Sequence, residues 1–282
     1  MTVQMITEPM IRAMLPARKQ DAHKGDFGRV LLLCGSAGYT GAAALSARGA
    51  LRCGSGLVYL GVPEPVYPIL AAKLDEPVVF PLPAEKGMLS ASASGEILRR
   101  LETADAVLVG PGLGQSEGTL ACLRSVLENS RVPVVVDADG INLLARHIDV
   151  LRESACPVIL TPHPGEFRRI AGEIAPDREQ AASRFSAKNG CICVLKGSGT
   201  VVTDGSAVFV NTTGNPGMAV GGSGDVLAGM LVSLLGQGLK PLDAACAAVY
   251  LHGAAGDLCA RELGQYGMLP TDMLCALPRL LP

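Results

Sequence analysis

The sequence is poor in aromatic and charged residues. It has no tryptophan, aromatic residues make up only 4% of its 282 positions, and charged residues make up 18%. Hydrophobic residues account for 49%. A core of this composition has to be built from aliphatic side chains, as in parallel sheets that helices cover on both faces. The formal net charge of −2 provides no basic surface for nucleic acid or for an anionic membrane.

Segments that would direct the chain to a membrane or to secretion are also missing from the sequence. It has no run of 18 apolar residues, and its first residues lack a basic start followed by an apolar stretch. The nine cysteines include no CxxC pair, which excludes the usual zinc-site spacing and favours buried thiols in a reducing compartment. We therefore expect a cytoplasmic protein without a signal peptide, a membrane span or a structural zinc ion.

Short β-branched runs alternate with segments long enough for helices. This alternation predicts βαβ units in a single α/β domain over residues 1–282, because no linker, repeat or low-complexity segment interrupts it. The predicted parallel strands are Arg29–Leu33, Leu57–Leu60, Ala106–Val109, Pro133–Val136 and Pro157–Leu160. Ligands of such sheets bind at the carboxyl ends of the strands. The polar turns after these strands are therefore expected to meet in one cleft; they are Gly35–Gly41, Gly110–Gly114, Asp137–Gly140 and Thr161–Glu166.

The pattern changes in the last third of the chain. Three short, closely spaced runs predict a β-meander of antiparallel edge strands at Ile192–Leu195, Val201–Thr203 and Val208–Val210. Three helices are predicted to follow, at Asp225–Leu235, Leu242–Arg261 and Pro270–Leu280. The middle helix is rich in small residues, which predicts that it is buried by close helix packing.

The strongest chemical signal is the glycine-rich segment Asn211–Leu231. Gly221, Gly222 and Gly224 allow the backbone to approach a ligand closely, and the helix that begins near Asp225 directs free N–H groups at the same turn. A carboxylate beside an anion site is suited to act as a base, because it would repel a phosphate that was only bound there. The alternative is that Asp225 caps the helix and that the glycines form a tight turn.

The segment GNPGMAVGGSGDVL, at residues 214–227, resembles the signature of NAD(P)H-hydrate dehydratases of the ribokinase-like superfamily. Ser223 stands where that family commonly has threonine. Five further segments resemble the family in the same order, so that the resemblance covers roughly residues 20–260. They are residues 24–58, 104–114, 133–145, 157–170 and 195–205.

The resemblance implies a three-layer α/β/α sandwich, Mg²⁺, and ADP or ATP as a co-substrate. It implies an enzyme that restores NADH or NADPH from the S form of the hydrate. The implied catalytic residues are Asp225, Gly222 and Gly224. Those implied to contact the hydrate are Ala42, Gly112, Gly114, His163 and Asp225. Those implied to contact the nucleotide are Lys196, Gly197, Ser198, Gly199, Thr200, Asn215 and Gly224.

Several side chains have a structural alternative. Lys196 carries a charge suited to phosphate, and its alternative is a solvated turn lysine; a lone His163 is commonly structural. Glu166 could cap a helix or help to hold Mg²⁺. Asp137, Asp139 and Asn142 could cap a helix as readily as contact substrate or metal. The sequence assigns no Mg²⁺ ligand.

Two rival functions share these features. A small-molecule kinase of the same superfamily, acting on a vitamin or a sugar, would release a phosphorylated product, and a non-catalytic nucleotide sensor would release none. The resemblance further implies a functional link to an NAD(P)H-hydrate epimerase, for which the 282 residues leave no room, and a homotetramer. ADP and ATP are both open as donors, as are NADH-hydrate and NADPH-hydrate as substrates.

Overall fold

A ten-stranded sheet forms the centre of the molecule. The structure is a computed structural model, and it describes residues 2–172 and 177–282. The strand order is β1-β12-β11-β10-β9-β8-β7-β2-β3-β4. Neighbouring strands pair in parallel except around β11, which is antiparallel to both β10 and β12. The strands are β1 (Val3–Met5), β2 (Arg29–Leu33), β3 (Leu57–Pro63), β4 (Val78–Leu82), β7 (Ala106–Val109), β8 (Val134–Val136), β9 (Val158–Leu160), β10 (Ile192–Leu195), β11 (Val201–Thr203) and β12 (Val208–Val210). A separate hairpin pairs β5 (Ala84–Glu85) with β6 (Met88–Leu89).

Helices cover both faces of the sheet, as the aliphatic composition predicts. The helices are α1 (Glu8–Met14), α2 (Thr40–Arg52), α3 (Tyr67–Lys73), α4 (Ser94–Leu101), α5 (Glu117–Asn129), α6 (Asp139–Leu144), α7 (Val150–Glu153), α8 (Pro164–Ala171), α9 (Arg178–Asn189), α10 (Ser223–Gly236), α11 (Pro241–Leu263) and α12 (Pro270–Ala276). None of the helices in the described ranges combines the length and the apolarity that a bilayer crossing requires.

The core is divided into two parts by the sheet. One part packs α1, α2, α3, α10 and α11 against one face, and the other packs α4 to α9 against the opposite face. Successive side chains of a strand point to opposite faces. In β8, for example, Val135 belongs to the first part of the core, while Val134 and Val136 belong to the second. The predicted three-layer α/β/α sandwich with a mainly parallel sheet is therefore confirmed.

The prediction that the late meander consists of edge strands is wrong in two respects. Strand β10 pairs in parallel with β9 and lies inside the sheet. Strand β12 pairs with β1, which forms the actual edge. The other edge is β4, which pairs with β3. The sequence signal failed because β1 has only three residues, all of them exposed.

Close packing of α2 and α10 determines where the glycine-rich turn lies. A Cβ atom added to Gly229 would clash with the Ser46 carbonyl oxygen, and one added to Gly49 would come within 2.7 Å of the Val226 oxygen. Glycine thus lets the two helix backbones approach each other directly. The first turn of α10 is held above the carboxyl ends of the central strands, because α10 also packs on β7, β8 and β2.

Candidate active site

Side chains that follow the central strands meet beneath the first turn of α10. Alternation along β8, β9 and β10 directs Asp137, Thr161 and Lys196 to the face that α10 covers, since Val135, Ile159 and Val194 of the same strands belong to that part of the core. Two of the four predicted polar turns, Asp137–Gly140 and Thr161–Glu166, are therefore joined with Lys196 in one cluster. We call Asp137, Glu166, Lys196 and Asp225, together with Gly224, the central cluster.

The Lys196 ammonium group is the cation of the central cluster. Its Nζ atom lies 2.8 Å from Asp137 Oδ1 and 4.0 Å from Glu166 Oε2. The Lys196 side chain is 19% exposed, and the two carboxylates are almost fully buried. Burial lowers the pKa of Lys196, but the nearby Asp137 and Glu166 charges outweigh that effect, and the pKa is raised overall. The alternative of a solvated turn lysine is wrong.

Asp225 lies in the first turn of α10, close to this ion pair. Helix α10 has Gly222 as its N-cap residue, with a φ of 96° and no side-chain cap bond, so the alternative that Asp225 caps the helix is wrong. A Cβ atom on the preceding Gly224 would lie 3.4 Å from Lys196 Nζ and 4.0 Å from Asp137 Oδ2. Burial and the charge of Asp137 raise the pKa of Asp225 to about 7, although Lys196 opposes the shift. The carboxylate can therefore exchange a proton near neutral pH.

A strained turn carries the two aspartates that follow β8. Ala138 has a φ of 51°, which is costly for a residue with a side chain. The turn directs Asp137 to Lys196, whereas Asp139 accepts hydrogen bonds from Gly114 N at 2.9 Å and from Gln115 Nε2 at 3.0 Å. Neither aspartate caps α6, so the capping alternative is wrong for both. Strain of this kind is typical of functional sites.

Three residues that the resemblance assigns to the hydrate form what we call the rim: Ala42, Gly112 and Gly114. Ala42 is in the first turn of α2, and its Cβ atom would be 2.9 Å from a Cβ atom added to Gly112. Gly112 and Gly114 have φ values of 62° and 77°, which favour glycine. Ser36 Oγ donates to the Gly112 carbonyl oxygen at 2.8 Å and closes the rim against β2.

His163 is the N-cap residue of α8. Its Nδ1 atom accepts from Gly165 N at 2.9 Å and from Glu166 N at 3.3 Å, so that Nε2 carries the proton when the ring is neutral. Glu166 completes the capping box by accepting from His163 N at 2.8 Å. The capping alternative for Glu166 is therefore confirmed. The His163 side chain is about half exposed, and its Nε2 atom lies 3.4 Å from Oε1 of Glu166, which belongs to the central cluster.

The loop of residues 196–200, which we call the 196–200 loop, connects β10 to β11. Gly197 and Gly199 have φ values of 146° and 62°, and Thr200 Oγ1 donates to the Gly197 carbonyl oxygen at 2.9 Å. Because Lys196 belongs to the central cluster, the 196–200 loop starts at that cluster.

Helix α11 supports the glycine-rich segment through contacts that the sequence analysis missed. His252 is buried, and its Nε2 atom lies 2.9 Å from the Ser223 carbonyl oxygen. Burial lowers the pKa of His252 to about 4, so the ring is neutral and Nε2–H donates this bond. Asp257 accepts from Gly214 N at 2.9 Å and from Asn215 Nδ2 at 3.0 Å. Asn215 is thus tied to α11, and no hydrogen bond in the described residues joins it to the central cluster.

Comparison with known proteins agrees with this arrangement. The family model described as NAD(P)H-hydrate dehydratase matches residues 30–279. A bifunctional NAD(P)H-hydrate repair enzyme from Moorella thermoacetica is 44% identical in an alignment of 285 positions, which covers 99% of this chain and 54% of that protein. The chain thus spans about half the length of the bifunctional relatives that it matches.

Two further matches, in sequence and in structure, cover nearly the whole length of both chains. The ADP-dependent (S)-NAD(P)H-hydrate dehydratase of Bacillus subtilis is 38% identical over 99% of this chain and 98% of that protein. A crystal structure of the ADP/ATP-dependent NAD(P)H-hydrate dehydratase from Bacillus subtilis, co-crystallised with ATP and Mg²⁺, superposes with a TM-score of 0.86 at 34% identity, covering 99% of this chain and 98% of that chain. The glycine-rich turn, the buried ion pair beneath it and these matches lead to one conclusion: the chain belongs to the NAD(P)H-hydrate dehydratase family.

Proposed function

We propose that this chain uses ADP or ATP to dehydrate the S form of NADH-hydrate or NADPH-hydrate, restoring the reduced nucleotide. The observation that carries the proposal is the position and the raised pKa of Asp225. Its carboxylate has a pKa raised to about 7, and it lies in the first turn of α10 beside N–H groups that have no acceptor within the helix. A base next to an anion site is the equipment needed to transfer a phosphoryl group to a hydroxyl.

In the first step, Asp225 accepts the proton of the substrate hydroxyl group. The hydroxyl oxygen bonds to the terminal phosphorus of the nucleotide, and the bond from that phosphorus to the bridging oxygen breaks, releasing AMP from ADP or ADP from ATP. Gly224 N–H and Asp225 N–H stabilise the charge on the transferring group, helped by the positive end of the α10 dipole. Beneath these N–H groups, Lys196 and Asp137 form an ion pair without net charge.

In the second step, the nicotinamide ring expels the phosphate that has replaced the poor hydroxide leaving group. The lone pair of the ring nitrogen drives the C–O bond to break, and the adjacent carbon loses a proton to the departing phosphate, which restores the ring double bond. We propose that the rim of Ala42, Gly112 and Gly114, with the half-exposed ring of His163, holds the hydrate during both steps.

We further propose that Mg²⁺ accompanies the nucleotide. In the described ranges no group of three or more His, Cys, Asp or Glu side chains could hold a metal ion. Asp137 and Glu166 are instead occupied by the Lys196 ammonium group. This donor set fits an ion that is bound mainly by phosphate oxygens and water. When bound, Mg²⁺ would neutralise phosphate charge, and no protein residue is assigned to it.

The test mixes purified protein, Mg²⁺ and hydrated NADH or NADPH with ADP or ATP. We expect reduced-nicotinamide absorbance and inorganic phosphate to appear together, and the faster nucleotide identifies the donor. Asp225→Asn should abolish turnover and leave nucleotide binding intact, as measured by titration calorimetry. Unchanged turnover in Asp225→Asn would contradict the proposal. A phosphorylated vitamin or sugar in place of free phosphate would identify the chain as a kinase.

The pH dependence of the reaction gives an independent check. Asp225 acts as a base only when it is ionised, so kcat/KM should rise with pH through about 7 and then level off. Because the pKa of Asp225 is raised to about 7, the ionised and active form is lost as the pH falls below about 7. A rate that is flat between about pH 5.5 and about pH 8 would rule out this role for Asp225.

Three wider proposals concern the surroundings of the enzyme. The bifunctional relatives suggest that the chain works together with an NAD(P)H-hydrate epimerase. Adding that enzyme to this chain and a mixture of hydrate epimers would test the link. We propose a homotetramer, and light scattering would test it. The proposal is supported by three exposed apolar side chains near the end of α11, which are Leu263, Tyr266 and Leu269. Eight buried free thiols suit a reducing cytoplasm, which fractionation of cells would test.

A further inference from the structure

The side chain of Arg178 contacts the 196–200 loop from the first turn of α9. Its Nη1 atom donates to the Ser198 carbonyl oxygen at 2.8 Å. Its Nη2 atom donates to the carbonyl oxygens of Leu195 at 3.1 Å and Lys196 at 3.2 Å. One guanidinium group therefore joins the last carbonyl of β10 to two carbonyls of the loop, 17 to 20 residues further along the chain.

These bonds account for nearly every carbonyl at the start of the loop. Thr200 Oγ1 donates a hydrogen bond to the Gly197 carbonyl oxygen. The four successive carbonyls of residues 195–198 therefore all accept hydrogen bonds from Arg178 or Thr200. Within residues 2–172 and 177–282, the N–H groups of residues 197–199 donate no hydrogen bond to another backbone carbonyl. Engaging the carbonyls on one side leaves the N–H groups available on the other, which is how loops bind anions.

We propose that Arg178 is a positioning residue for nucleotide binding, which turns the carbonyl oxygens of the 196–200 loop away from the phosphates. The proposal rests on the proposed function, because it assigns the loop to the nucleotide. A carbonyl oxygen directed at a phosphate would be repulsive, so the benefit of Arg178 appears as nucleotide affinity. Arg178 touches no reacting atom in this scheme.

Arginine is better suited to this position than lysine. The planar guanidinium reaches carbonyls in different directions through separate N–H groups, whereas an ammonium group is a compact point charge. The fit is close, because a Cβ atom on Gly197 would lie 2.9 Å from Arg178 Nη2. The Nε atom of Arg178 is shielded from solvent and has no hydrogen-bond partner among the described residues, so the guanidinium is held through Nη1 and Nη2.

The experiment compares the wild type with Arg178→Gln, Arg178→Lys and a control, Arg184→Gln. Arg184 is an exposed arginine of the same helix, and its substitution removes the same charge without contact to the loop. Binding of ADP and of ATP, each with Mg²⁺, is measured by titration calorimetry. Steady-state kinetics then give kcat and KM separately for nucleotide and for hydrate, and circular dichroism verifies that each variant is folded.

We expect Arg178→Gln to raise the nucleotide Kd and KM by about ten- to a hundredfold, as the loss of several charge-assisted bonds predicts. The value of kcat at saturating nucleotide and the KM for the hydrate should stay within about threefold of wild type, because the chemistry at Asp225 is untouched. Arg178→Lys should lose most of the same affinity, and Arg184→Gln should behave as wild type.

Three results would overturn the inference. Full nucleotide affinity in Arg178→Lys would show that only the charge matters, and full affinity in Arg178→Gln would show that the contact is structural. A loss of kcat at unchanged nucleotide KM would place Arg178 in the chemistry itself. If the wild type bound nucleotide in an Arg178-dependent way but did not dehydrate the hydrate, the proposed function would fail while this inference stood.

Discussion

Replacing Asp225 by asparagine should stabilise the folded protein, by an amount that grows with pH. The carboxyl group is buried next to Asp137, and its pKa is raised from 3.8 to about 7. A raised pKa means that the ionised form is less stable in the fold than in the unfolded chain. The wild type therefore loses stability as the pH rises from about 4 to about 7. Asparagine has nearly the same shape and no charge, so it avoids this loss.

The size of the effect follows from the two pKa values. At about pH 5 the unfolded chain is ionised and the folded chain is not, which costs the wild type about 2 kcal/mol. At about pH 8.5 both are ionised, and the cost reaches about 4 kcal/mol. The stability difference between Asp225→Asn and wild type should therefore increase by about 2 kcal/mol between these two pH values, whatever the constant cost of burying an amide.

Urea unfolding at the two pH values measures this difference directly. Asp75→Asn is the matched control, because it makes the same chemical change at an exposed position before β4. Its stability relative to wild type should not depend on pH over this range. A pH-independent difference for Asp225→Asn, or one that shrinks toward alkaline pH, would refute the burial of an ionisable carboxylate beside Asp137.

Three further substitutions test the elements that support the site. Lys196→Met should lower the free energy of unfolding, measured in urea, by about 3–5 kcal/mol, since it leaves Asp137 buried without a counter-ion. Adding Asp137→Asn should recover most of the loss, and a double variant as unstable as the single one would argue against the pair. His252 is neutral in the fold with a pKa lowered to about 4, so protonation favours the unfolded chain. The wild type should lose about 2 kcal/mol relative to His252→Asn on acidification from about pH 7 to about pH 4.5, and equal pH dependence would contradict this. Gly229→Ala should cost about 1–3 kcal/mol by separating α2 from α10, whereas Gly95→Ala in α4, where a Cβ atom meets nothing within 4 Å, should cost nothing measurable.

The sequence was sufficient to predict the layered fold because the evidence for it is local. Buried β-branched runs such as Ala106–Val109 and Ile192–Leu195 carry their strand signal in a few residues, and both strands were correctly predicted. The glycine-rich turn before α10 was equally visible, since glycine and a following apolar helix are adjacent in the chain. The edges β1 and β4 were missed because pairing at an edge depends on a neighbour that is distant in sequence.

The partners of the candidate site residues were not predictable in the same way. Lys196 and Asp137 are 59 residues apart, and the Ser223 carbonyl is 29 residues from His252. Central strands are apolar on both faces, so alternation cannot tell which face a polar residue at the strand end will join. His252 and Asp257 lie in a helix of small residues that gave no chemical signal apart from burial.

The sequence by itself determined the central strands, the glycine-rich turn and the position of Asp225, because propensity, glycine and apolar runs act over a few residues. The tertiary structure decided that Lys196 faces Asp137 and Glu166, that α11 holds the glycine-rich segment, and that Arg178 reaches the 196–200 loop. Those outcomes depend on which faces of the sheet and helices pack together. Packing is a property of the whole chain, so no local pattern could have contained it.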